Sequence, residues 1–276
     1  MKKTSSRSER APQLKLFRSA LPCQLTLAEV VRELGDVDGL RCLNVGDEAG
    51  LYAYHLRRRG GSWATAVRHE REAVPARELV EDDVQLMQDG RLPFEDKAFD
   101  RVVLINQLEA AKDDDLLVEE CHRILNVDGK LIVNARNRKP WTLLTPVERA
   151  VGATPQRRGL VRPGYTETQL FNILKHGFDV NQMRTYMRFW VEFVRTLSRG
   201  SLHAPLDGEA LARLTRREAL AGPFYRLAYQ LDLLLFFSRG FYLVCTAKRR
   251  AWLPRKTPVL GDGRSISEAV LSRYGG

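Results

Sequence analysis

Apolar and polar positions switch between a helical and a strand period from about residue 25 to residue 185, which predicts alternating helices and strands. Leu25–Leu34 reads as a helix closed by Gly35, Leu40–Val45 as a strand, and Gly50–Arg59 as a helix ended by Gly60 and Gly61. Trp63–Val67 and Val84–Met87 are further strands on either side of a helix over Glu70–Glu81. Beyond Leu92-Pro93-Phe94 come the strand Arg101–Ile105, the helix Asp113–Leu125, the strand Gly129–Val133, the helix Thr166–His176 and the strand Phe178–Arg184. Thr166 and Gln169 have the spacing of a capping box, in which each side chain satisfies a free backbone N–H at the helix start.

Strands that are apolar on both faces and separated by helices cannot leave a face in water, so the expected fold is α/β, doubly wound around a mostly parallel sheet. After Arg184 the rhythm changes. Tyr186, Met187, Phe189, Trp190, Phe193, Val194 and Leu197 form one apolar helical face, and Phe224–Phe237 a second. The polar segment Ser201–Glu218 separates them, and Phe241–Ala247 returns to a strand, the seventh. The expected organisation is a basic N-terminal tail and lead-in (1–24), one domain (25–247) with a helical insertion (186–240), and a basic C-terminal tail (248–276).

Composition changes the picture only through where the charge lies. The 276 residues, 44% hydrophobic and 28% charged, suffice for a full core without metal or disulfide staples. The formal charge of +10 is concentrated at the ends, in Lys2, Lys3, Arg7 and Arg10 and in Lys248, Arg249, Arg250, Arg255 and Lys256. A nucleic-acid reader carries a basic stripe across its folded face, so nucleic acid is not the expected partner. Two readings of the ends remain, solvated tails and attraction to an anionic membrane surface. No apolar run approaches the ~20 residues of a membrane-spanning helix. Met1–Pro12 is polar with no apolar segment after it, which is unlike a secretory signal. Cys23, Cys42, Cys121 and Cys245 are far apart and read as reduced, buried thiols of a cytoplasmic protein that sits, at most, peripherally on a membrane. The cysteines and His55, His69, His176 and His203 show no metal-ligand spacing, so no metal is expected.

The first strand runs through Asn44-Val45-Gly46-Asp47-Glu48-Ala49-Gly50 into a helix, a strand–glycine loop–helix layout that lets a nucleotide approach bare backbone. Downstream follow Asp89, then Leu92-Pro93-Phe94, then Phe99-Asp100, and then Arg123-Ile124-Leu125 leading to Asp128-Gly129. Gly164-Tyr165-Thr166 and His176-Gly177-Phe178 come later. This succession resembles the class I S-adenosylmethionine-dependent methyltransferases, in particular their small-molecule and quinone-methylating group, over about residues 40–185 and again at Phe241–Ala247. The resemblance implies a seven-stranded Rossmann-like sheet and S-adenosylmethionine as cofactor. Gly46 and Gly50 would pass beneath the methionine portion, a carboxylate after the second strand would hold the ribose, Asp89 would meet the adenine amino group, and Asn106 would lie beside the sulfonium.

Three positions depart from that family: Asn44 replaces an acid, Glu48 a glycine, and Arg68 the ribose-binding acid. Arg68 is the largest change, because a donor-only cation stands where two acceptors are expected. Glu70 lies two residues on and offers a substitute carboxylate. Two functions follow: methyl transfer to a small, hydrophobic or lipid-like acceptor, or a catalytically inactive scaffold with a closed cofactor site. Tyr165 and Glu109 are the candidate bases, needed only if the acceptor must lose a proton. The aromatic insertion, with Phe189, Trp190 and Phe193, suggests an apolar acceptor, and Arg138, Lys139 and Trp141 a basic loop suited to an anionic head group.

Overall fold

The computed structural model describes residues 12–46, 50–80, 82, 84–139, 142–155, 157, 159–200 and 208–253. Residues 1–11 and 254–276 of the two expected tails lie outside these, as do Glu48 and Trp141. The strands are β1 (Arg41–Val45), β2 (Ser62–Val67), β3 (Val84–Leu86), β4 (Phe99–Ile105), β5 (Leu125–Arg136), β6 (Phe178–Tyr186) and β7 (Tyr242–Arg249). They form one seven-stranded sheet in the order β3-β2-β1-β4-β5-β7-β6. All pairs from β3 to β5 are parallel, while β7 runs antiparallel to both β5 and β6. The α/β class and the mostly parallel sheet are as expected.

The described helices are α1 (Pro12–Ser19), α2 (Leu21–Leu34), α3 (Leu51–Arg57), α4 (Glu70–Val80), α5 (Asp114–Ile124), α6 (Leu144–Ala150), α7 (Glu167–Leu174), α8 (Phe189–Arg199) and α9 (Gly208–Leu234). Alternation along each strand distributes the core between the two faces. Cys42, Val103, Ile132 and Val244 face a cluster with α1, α2, α3, α8 and α9. Their neighbours Leu43, Val102, Leu131 and Leu243 face a second cluster with α5 and α7. The Thr166–Gln169 capping box is present at the start of α7.

Helices α1 and α6 are additions to the sequence reading, and α9 is longer than expected. Of the residues read as a polar separator, 208–218 are the first part of α9, because Leu211, Leu214, Ala221, Tyr225 and Ala228 continue one buried face through it, while 201–207 lie outside the described residues. Asp232 on that face caps α8. Its Oδ1 accepts from the Trp190 N–H at 2.8 Å and its Oδ2 from the Arg188 N–H at 2.9 Å. Asp232→Ala strands these donors and is expected to cost about 2 kcal/mol, read as a lower urea midpoint, with Asp232→Asn losing less.

Candidate functional site at the sheet switch point

Strand order reverses between β1 and β4, so the loops leaving their carboxyl ends diverge and open a crevice, the usual ligand position in an open α/β sheet. Gly46, just after β1, has φ 76° and donates its N–H to Ala66 O at 2.8 Å. A Cβ there would sit 1.9 Å from Gln107 Nε2, so the loop leaving β4 packs directly on bare backbone. Gly50 has φ 83°, and its Cβ would lie 2.7 Å from the Ala76 Cα, which explains how closely α3 approaches α4. Asn44 is buried in β1 and donates through Nδ2 to Gly46 O at 3.3 Å.

Asn106 takes the left-handed φ of 53° that asparagine tolerates, and its N–H donates to Asn134 O at 2.9 Å. Its Oδ1 is buried without a hydrogen-bond donor, as are Gln107 Oε1 and Glu109 Oε2 in the same loop. Three such oxygens at one end of the sheet are costly unless a ligand donates to them. The two amide oxygens can only accept and so fit a group with donors and positive charge, such as an amino acid ammonium beside a sulfonium, and Glu109 joins them as an acceptor once it has lost its proton.

Arg68 follows β2 and reaches across this crevice. Its N–H donates to Glu72 Oε2 at 3.2 Å, and its Nη1 donates to Ala110 O in the β4 loop. Burial lowers its pKa, while Glu72 and Glu109 pull it back up. The cation thus bridges β2 to β4 where the resemblance implies a ribose-binding carboxylate. Glu70 does not replace that carboxylate here, because it pairs with Arg77 at 2.6 Å. Asp89 stands apart, exposed in the turn after β3 with φ 49°.

The two candidate bases differ in their surroundings. The Tyr165 hydroxyl is buried, donates to Asp114 Oδ2 at 2.7 Å, and lies 3.0 Å from Leu108 O. Burial and the Asp114 carboxylate push its pKa up. Glu109 is 1% exposed, and burial pushes its carboxyl up to about 7 against the Arg136 N–H that donates to it and the guanidiniums of Arg136 and Arg68. A carboxyl raised in the folded state keeps its proton after the unfolded chain has lost it. Stability from Glu109 is therefore full below about pH 4.5 and falls by about 3 kcal/mol as pH rises through 7. In Glu109→Gln that component of the slope disappears, and urea midpoints of both proteins across this range check it.

Sequence reading did not single out Gln107 or Arg136, and it took Arg123 only as part of the turn into the fifth strand. Arg123 holds the Leu92-Pro93-Phe94 turn, donating to Leu92 O at 2.9 Å and Phe94 O at 2.8 Å while pairing with Glu120 and Asp96. Arg136 ends β5 and pairs with Glu148 at 2.5 Å and with the fully buried Glu192 at 3.2 Å. A basic side chain closing the apolar run Ile132–Ala135 was the available signal for it. Among the described residues, Asp113, Asp114 and Asp115 group their carboxylates. Asp113 caps α5 through the Leu116 N–H, and Asp114 holds Tyr165 and Arg162, so two of the three serve the fold.

Residues 43–133, which contain the crevice, match the family described as "Methyltransferase domain". That segment, about a third of the chain, is similar to a methyltransferase domain. Solved structures agree on the fold. One is the cyclase SpnF, at TM-score 0.56 and 20% identity over 83% of this chain and 82% of that one. Another is an S-adenosylmethionine-dependent methyltransferase from Mesorhizobium loti, at 0.54 and 16% over 82% and 96%. A third is the geranyl diphosphate C-methyltransferase of Streptomyces coelicolor, solved with Mg2+, geranyl diphosphate and S-adenosyl-L-homocysteine, at 0.52 and 14% over 82% and 77%. No curated protein matches the sequence. Were the crevice to take the cofactor that the resemblance implies, Asn44, Asn106 and Gln107 would form its polar wall and Asp89 would stand at the outer turn, while Gly46 and Gly50, packed by Gln107 and Ala76, would set the path of the loop. Arg68 would be the member of the set that opposes the cofactor.

Proposed function

We propose that the protein transfers a methyl group from S-adenosylmethionine to a small, hydrophobic acceptor that carries an anionic group. The observation behind this reading is a cavity of about 350 Å³ beside the carboxyl end of β5, lined by Arg136, Arg138, Lys139, Arg149, Thr142 and Phe241 among others. Four cations face one carboxylate in this lining, Glu148, and Phe241, Leu160 and Pro163 add apolar wall. Lys139 Nζ lies 3.8 Å from the Phe241 ring centroid, so the cation and the apolar surface are adjacent. The cavity and the crevice share a wall, because the Arg136 N–H donates to Glu109. The geranyl diphosphate enzyme, a fold neighbour, acts on an acceptor of this kind.

When bound, S-adenosylmethionine supplies an electrophilic methyl. The protein's share is positioning, which contributes much of the acceleration in such a displacement. Arg138 and Lys139 would orient the anionic end of the acceptor, and Glu109 is the group on the shared wall able to take a proton near neutral pH. Methyl-labelled S-adenosylmethionine incubated with isoprenoid diphosphates and with neutral isoprenoid alcohols tests the reading. Label should enter the anionic series, and Lys139→Ala should raise KM about tenfold with less change in kcat. Label confined to the neutral series would overturn it. Arg68 favours a second reading, a scaffold whose crevice its guanidinium closes, and absence of any cofactor binding would select that one.

A further inference from the structure

Helix α9 has two apolar faces, and only one is covered. Leu211, Leu214, Ala221, Tyr225 and Ala228 are buried against the body of the protein. Leu220, Phe224, Leu227 and Leu234, with Leu231 between the last two, recur at alternating spacings of four and three and make a straight stripe on the outer side. Phe236 and Phe237 prolong it beyond the helix. The six most open of these side chains are between 61% and 77% exposed, a contiguous patch of a kind that water-facing helices avoid.

Charge along the same helix points to the occupant. Arg213, Arg216, Arg217 and Arg226 are all exposed. Of the helix's three acids, Glu218 and Asp232 are buried, which leaves only Glu209 outside, 3.6 Å from Arg213. At the far end Arg188 donates to Ser238 O at 3.2 Å, and Lys139 donates to Arg239 O at 2.5 Å, so cations also flank the exposed phenylalanines. Trp190, 38% exposed, opens α8 beside this end. Leu and Phe on one side, arginines around them and exposed acid nearly absent are the chemistry of a helix lying in an anionic lipid interface. No described helix is long and apolar enough to cross a membrane, so the helix would lie on the surface.

We infer that the outer face of α9, with Phe236 and Phe237, seats the protein on anionic membrane surfaces. The seat stands independently of the acceptor assignment, although Lys139 and Phe241 place it next to the acceptor cavity.

The test is co-sedimentation of the full chain with phosphatidylcholine vesicles, with and without about one-third phosphatidylglycerol. Binding should require the anionic lipid and weaken with salt. Phe236→Ser with Phe237→Ser should lower partitioning about tenfold at an unchanged thermal midpoint, and Phe224→Ser with Leu227→Ser should do the same. Arg213→Glu with Arg216→Glu should also reduce it. Equal binding to neutral vesicles, or stripe variants that bind like wild type while deletion of residues 254–276 abolishes binding, overturns the inference. So does light scattering that shows a dimer lost in the stripe variants with no vesicle binding, because the stripe would then be an interface between two copies.

Discussion

Arg68→Asp should bind S-adenosylmethionine about tenfold more tightly than the wild type. The guanidinium spans from the end of β2 to Ala110 O, across the crevice between the β1 and β4 loops. A cation there repels a sulfonium, and its donors compete with ribose hydroxyls for the same acceptors. Aspartate removes both effects and presents two acceptors at the strand end. The change also takes a cation away from Glu109, but that carboxyl already holds its proton up to about pH 7 and can keep it, so no buried charge is stranded. Arg68→Ala should fall between the two proteins, since it removes the repulsion without adding the acceptors. Isothermal titration of the three proteins measures the series. Weaker binding in both variants would mean that Arg68 belongs to the cofactor's binding set.

The largest expected loss of stability comes from Arg136→Met, at about 3 kcal/mol. Arg136 is 14% exposed and couples three parts of the fold: its N–H donates to Glu109, and its guanidinium pairs with Glu148 on α6 and Glu192 on α8. Glu192 is fully buried and also pairs with Arg195 at 3.1 Å, which remains in the variant. Methionine fills the volume but leaves a buried carboxylate short of positive charge. Arg136→Met combined with Glu192→Gln should therefore recover part of the loss, and the urea midpoints of the double-mutant cycle give the coupling directly. Additive losses would show that the pair is not coupled.

Much of this architecture was legible because it rests on periodicity. All seven strands and the capping box at Thr166 follow from local patterns that tertiary structure did not override. The direction of β7 was not legible, since strand polarity depends on how the chain returns from α9 rather than on the strand's own residues. The full length of α9 was also hidden: buried Glu218 and Asp232 lie on its inner face and exposed leucines on its outer face, so the helix lacks a single apolar side. At the site, the glycine loop and the identity of Arg68 were readable as motif and departure. The reach of Arg68 to Ala110 was not, because it joins residues that meet only when β2 and β4 flank β1 in the sheet. The role of Arg136 was hidden for a related reason, its partners Glu109, Glu148 and Glu192 being far apart along the chain.

The central claim is that the crevice between β1 and β4 holds S-adenosylmethionine despite Arg68. Calorimetric titration of the wild-type chain with S-adenosylmethionine tests it most directly. Saturable binding at one site, in the micromolar to tens-of-micromolar range or about −6 to −8 kcal/mol, is the predicted result. No heat and no thermal shift at millimolar cofactor would contradict it.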